Sequence, residues 1–234
     1  MQQPTLLKHK RFGRYIKDII YGANDGIITT FAVVAGVAGA ALDEITIVVL
    51  GLASLIADGF SMAVSNYLGS QSEKEFFKRE RDVESWEFEN VPEEEMAEMR
   101  FLLQGLGYDK NDAHNLTELL KKNKNFWLDI MMREELHLSL NTKQVPWKGA
   151  LATFVSFVIA GFIPIAPFLF FSVDGINLLL IAVSATALAL FAVGSMRALI
   201  TKEPWFISGA EMLIVGGIAA ALAYTIGFLV RQIM

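Results

Sequence analysis

Apolar and polar positions separate along this chain into long blocks rather than into the short alternations of a soluble domain. Uncharged apolar runs cover residues 26–42, 149–172, 175–196 and 212–230, and a further run over 45–72 is interrupted only by Asp58. About 20 apolar residues cross the hydrocarbon core as a helix, so the pattern predicts five membrane spans. Between the second and third lies a block in which charge dominates. The second span carries no break signal where it enters that block, which predicts one helix continuing to about Glu89. Pro92 suits the first turn of a second helix, and Gly105 and Gly107 end it. Asp112 or Asn115 can cap a third helix, expected to reach about Leu140. The fold class is therefore all-α: five transmembrane helices with a three-helix insert. The boundaries read as an amino-terminal part over 1–70, the insert over 71–147 and the last three spans over 148–234.

Trp86, Phe88, Phe101, Leu102, Leu106, Trp127 and Leu128 are the apolar residues available to the insert's core. Pro164 and Pro167 should kink the third span, while Gly36, Gly39, Gly216 and Gly217 allow close helix contact.

Composition reinforces the membrane reading, with 53% hydrophobic residues and a mean hydropathy of +0.42. Without cysteine, neither disulfides nor thiolate metal sites exist, and any metal must take oxygen, imidazole or thioether ligands. The net charge of −5 suggests no nucleic-acid partner. Its distribution orients the chain: five Lys or Arg precede the first span and twelve lie between Gln71 and Lys148, whereas the loops around Asp43 and Asp174 have none. By the positive-inside rule, the amino terminus and the insert face the cytoplasm.

The insert holds 17 of the 25 acidic residues. Glu84 with Glu87, and Glu95 with Glu98, stand three apart, so each pair presents two carboxylates to one side of a helix. A solvated acidic face is the ordinary meaning of such charge. Here the glutamates interleave with Trp86 and Phe88, and Met131 and Glu135 follow one turn apart, with Met132 adjacent. Carboxylates and thioethers together suit a borderline divalent metal better than calcium or magnesium. His137 is a candidate imidazole ligand, though a lone His beside Glu134 and Glu135 reads first as a surface residue.

Within the spans a charge costs roughly 3 kcal/mol on insertion scales and persists where it faces protein or water. Asp25, Asp58 and Glu211 are such charges. Asp58 and Met62 share a helix face with Ser54, and Asp18 lies seven residues before Asp25. Asn24 and Asp25 ahead of Gly26 also read as a cap on the first span.

These residues carry a resemblance. YGANDGIITTFAVVAG, ADGFSMAVSNYLGSQSE, the glutamate pairs flanking Pro92, and FWLDIMMREELHL together resemble the vacuolar iron transporter family of divalent-metal exporters, over nearly the whole chain. The resemblance implies a homodimer whose pathway lies between subunits, exporting ferrous iron from the cytoplasm by proton antiport. It implies pathway positions at Asp18, Asp25 and Met62. It further implies metal ligands at Glu84, Glu87, Glu95, Glu98, Met131 and Glu135. Family members often carry a glutamate where this chain has Ser54, which makes Asp58, one turn later, the candidate replacement.

The ligand types accept Fe2+, Mn2+, Co2+ and Zn2+ alike, as substrate rather than as a resident cofactor. Two other readings stand beside transport: a membrane-anchored di-iron carboxylate ferroxidase, disfavoured because the Glu-x-x-His spacing such sites use twice occurs here once, at Glu134–His137, and not before His114, and a metal-sensing scaffold. A prokaryotic plasma membrane is the first expectation for location, a vacuolar membrane the second.

Overall fold

A computed structural model describes residues 15–138, 145–171, 175–201 and 203–233, and every element among them is helical. They run in the order α1 (Ile16–Gly39), α2 (Glu44–Asn90), α3 (Pro92–Gly105), α4 (Lys110–Leu120), α5 (Lys124–Ile130), a π-helical turn (Met131–Glu135), α6 (Pro146–Gly161), α7 (Ala166–Phe170), α8 (Gly175–Thr201) and α9 (Trp205–Ile233). The chain divides into two compact units, Leu68–Lys143 and the remainder. Among the described residues, four helices, α1, α2, α8 and α9, are long and apolar enough to cross a membrane.

The third expected span is not one helix. Pro164 and Pro167 lack the N–H groups an unbroken helix needs, and the chain passes through turns between Gly161 and Ala166, closed by Ile165 N–H donating to Phe162 O at 3.1 Å. The first span starts earlier than expected. Because α1 begins at Ile16, Asn24 and Asp25 lie in its interior, which rules out the capping reading.

In the larger unit, α1 is the central element, packed on α6, α8 and α9. Small residues let it approach two neighbours backbone to backbone. A Cβ on Gly26 would collide with the Phe157 carbonyl of α6, and one on Gly39 with the Tyr224 carbonyl of α9. Of the other glycines expected at contacts, Gly36 stands near Ala223 O and Gly216 against Leu190, whereas Gly217 faces open space. Helix α2 meets the unit differently, through side chains: Ile47 joins Phe31, Val34 and Val37, and Leu55 joins Phe157 and Ile165. Glu211, a charge of no evident purpose in the sequence, pairs with Arg197 at 3.3 Å.

The smaller unit is built from the end of α2, α3, α4, α5 and the π turn, in place of three helices. The expected third helix breaks at residues 121–123, where the Asn123 side chain accepts from Phe126 N–H and starts α5. Asp109, rather than Asp112 or Asn115, caps α4 by accepting from Asp112 N–H at 2.8 Å. The expected end near Leu140, like Asp174, Lys202 and most of the basic amino-terminal tail, lies outside the described residues. Trp127 and Leu128 are in the core with Met99, Leu103, Ala113 and Met131, and Phe88 packs against it. Trp86, Phe101 and Leu106 are exposed instead.

Candidate functional site

In the smaller unit, three of the predicted carboxylates converge. Glu84 and Glu87 project from the same side of α2, being three apart, and Glu95 comes from the first turn of α3. The tight link at Val91, whose N–H donates to Glu87 O at 2.8 Å, folds α3 back beside them. One oxygen from each of the three lies within 4.8 Å of the others. This is no solvated acidic face, since Glu84 is 5% exposed and Glu95 3%.

Burial and mutual repulsion both disfavour ionisation here. Desolvation first, then the charges of Glu135, Glu95, Glu87 and Glu98, push the Glu84 carboxyl up to about 8. Glu95 is raised to about 7, again chiefly by desolvation, against a hydrogen bond from Trp127 that lowers it. Glu135 is raised by desolvation and by Glu98 and Glu87. These couplings place Glu98 and Glu135 beside the trio, although both are exposed. The second observation is an orphan: Glu84 Oε2 is buried with no hydrogen-bond partner. A buried acceptor left unpaired is costly, and a cation held by the three carboxylates would satisfy it.

Met131 and Met132 are almost wholly buried, Met131 among core side chains. They stand in the π turn, whose end is closed by Leu138 N–H donating to Met132 O at 2.8 Å. That closure puts His137 in the left-handed region, at φ 53°. The exposed His137 thus serves the backbone turn.

In the larger unit, the predicted pathway residues fall into two groups. Asp25 on α1 has the Asp58 carboxylate of α2 as an electrostatic neighbour, and the Ser54 hydroxyl donates to Asp58 Oδ2. Met62 packs against Leu55, Phe157 and Ile165. Asp18 is held apart from these, by a residue the sequence did not single out. Asn66 Nδ2 donates to Asp18 Oδ1 at 2.9 Å and to Thr153 Oγ1 at 2.8 Å, joining α1, α2 and α6. Trp127, expected only as a core residue, likewise proves to touch a site carboxylate.

Membrane-length helices joined to a helical unit with a buried carboxylate cluster define a class: helical membrane proteins carrying an acidic insert. The VIT family model matches residues 16–228, and the chain belongs to that family. It is 34% identical over 225 residues to the vacuolar iron transporter of Plasmodium berghei, covering 93% of this chain and 82% of that protein. Vacuolar iron transporter 1 of Oryza sativa subsp. japonica is 32% identical over 217 residues, 93% and 86% of the two chains. Its counterpart from Arabidopsis thaliana is 31% identical over 236 residues, 99% and 94%. These relatives are transporters by name.

Proposed function

We propose that this protein is a transporter, not an enzyme, that exports ferrous iron and related divalent ions from the cytoplasm in exchange for protons. The observation that carries the reading is the convergence of Glu84, Glu87 and Glu95 around an unpartnered buried oxygen, in a chain of the VIT family. In this reading the cluster, with Glu98, Glu135, Met131 and Met132 at its margin, loads metal on the cytoplasmic side. The orientation follows from the positive-inside rule and holds for a plasma or a vacuolar membrane. The broken segment α6–α7 supplies the third of five spans, since membrane helices tolerate prolines where neighbours re-satisfy the backbone.

Asp18, Asp25, Asp58 and Met62 line the pathway in a homodimer. Metal needs the carboxylates ionised, and protonation from the far side releases it. Manganese, cobalt and zinc are expected to compete with iron, because the same donors accept them.

The test is purified protein in liposomes under an imposed pH gradient. Fe2+ flux coupled to opposite proton movement, lost in Asp25→Asn and in Met62→Ala, is the expected result. Flux indifferent to the gradient eliminates antiport, and flux unchanged in both variants eliminates the pathway.

A further inference from the structure

The geometry points to Trp127 as a positioning residue that sets the metal selectivity of the acidic cluster. The inference rests on the metal-site reading above. Trp127 Nε1–H donates to Glu95 Oε2 at 3.2 Å. The indole is 0% exposed. It is held in place from several sides: edge-on to Phe88, with ring centroids 5.4 Å apart and planes at 64°, and within the core formed by Met99, Leu103, Leu128 and Met131. Lys124, one turn earlier, pairs with Glu89 and donates to the Ser85 carbonyl at 3.1 Å, tying α5 to α2. The donor therefore cannot swing away when an ion arrives.

An indole N–H is a donor only, so it engages one carboxylate oxygen permanently. The bond occupies one lone pair of Glu95 Oε2 and fixes the plane of that carboxyl, so that Glu95 offers an ion chiefly its other oxygen. Calcium takes six to eight oxygens in flexible, often bidentate geometry. A Glu95 limited to one-oxygen binding disfavours calcium and suits transition ions, which accept fewer and softer ligands. Hydrogen-bonded partners of metal ligands generally hold them in register, and their loss typically costs about 10–100-fold in metal affinity.

The experiment measures Mn2+ and Ca2+ binding to the full-length protein in detergent by calorimetry. Taking the ratio of two metals at one pH cancels proton competition. Trp127→Phe keeps the aromatic packing and removes the N–H; it should lower Mn2+ affinity about tenfold and leave Ca2+ affinity equal or higher. Incorporation of 3-benzothienylalanine at position 127, an isostere with sulfur in place of the N–H, should do the same and serves where Trp127→Phe fails to fold. Leu116→Ala loosens the same core at a residue not used to hold the indole, and should leave the ratio as in the wild type. An unchanged ratio in the variants lacking the N–H, with Mn2+ still bound, overturns the role of the indole while leaving the site. An equal shift in Leu116→Ala overturns it too, in favour of packing. Wild-type protein whose Mn2+ binding is absent, or insensitive to Glu84→Gln, overturns the site reading and this inference with it.

Discussion

Asn66 holds Asp18: a side-chain amide on α2 donates to a carboxylate on α1 at 2.9 Å, and the same nitrogen reaches Thr153 on α6. A neutral side-chain dipole thus supplies a hydrogen bond to this acidic group. Asn66→Leu strips the donor from a part-buried acceptor, which costs about 1–3 kcal/mol. Lower thermal stability in detergent, together with reduced metal flux, is expected. Asn66→Asp should be worse than Asn66→Leu in both respects, because it sets two carboxylates against each other.

Glu84→Gln separates stability from binding. With its carboxyl raised to about 8, Glu84 is largely neutral at pH 7 in the metal-free protein, and glutamine copies that neutral form. The variant should therefore unfold at an equal or higher temperature without metal. Its Mn2+ affinity should fall more than about tenfold, since an amide is a poor substitute for a charged ligand. Differential scanning fluorimetry with and without Mn2+ reads both.

The same carboxyls fix a pH dependence. Glu84 at about 8 and Glu95 at about 7 lie above the ordinary glutamate value of 4.5. Between those values the folded chain binds more protons than the unfolded chain, so these groups favour the metal-free fold at low pH. That contribution is fully present below pH 4.5 and is lost as pH rises through 7 and 8. Metal binding has the opposite slope, because ions displace the protons. At pH 7, roughly one to two protons should leave per ion bound, from these two groups. Calorimetry in buffers of differing ionisation enthalpy counts them.

His137 is expected to be dispensable as a ligand and constrained as a backbone. Its φ of 53° suits glycine, so His137→Gly should retain Mn2+ binding and stability. His137→Val should cost about 1–3 kcal/mol, because a β-branched residue strains in the left-handed region. Loss of binding in the glycine variant, with the fold intact, would make the imidazole a ligand.

Gly39 sits where α1 meets the Tyr224 carbonyl of α9, with no room for a Cβ. Gly39→Val should prevent assembly of the larger unit, seen as a loss of monodisperse protein on size exclusion. Gly217→Ala, at a glycine facing open space, should be silent.

Much of this was legible in sequence because it depends on spacing. The 3-residue interval puts Glu84 and Glu87 on one side of α2 whatever surrounds them, and Pro92 marks the start of α3. What spacing cannot convey is burial: nothing local distinguishes the buried Glu84 from the exposed Glu98, since both follow from how α3 folds back. The breaks at residues 121–123 and 162–165 were obscured for different reasons. Asn123 is a cap amid residues equally at home in a helix, whereas the two prolines signalled a kink but not its extent. Asn66 and Trp127 were missed because their partners lie 48 and 32 residues away.

Two kinds of seam meet at the Asp25–Asp58 pair. Against α6 and α9, helix α1 is locked by carbonyls lodged where glycines lack a Cβ, and rigid backbone there leaves no slack for sliding. Helix α2 instead meets α6 and the turn after it through flexible side chains, Gly51 facing Ile165 and Gly59 facing Phe157, and such interfaces admit small shear. The bundle thus has a stiff side and a compliant one. Asp25 belongs to the stiff block and Asp58 to the element seated by side chains, so of these two neighbouring carboxylates the one on α2 is the one whose position a small shear would change.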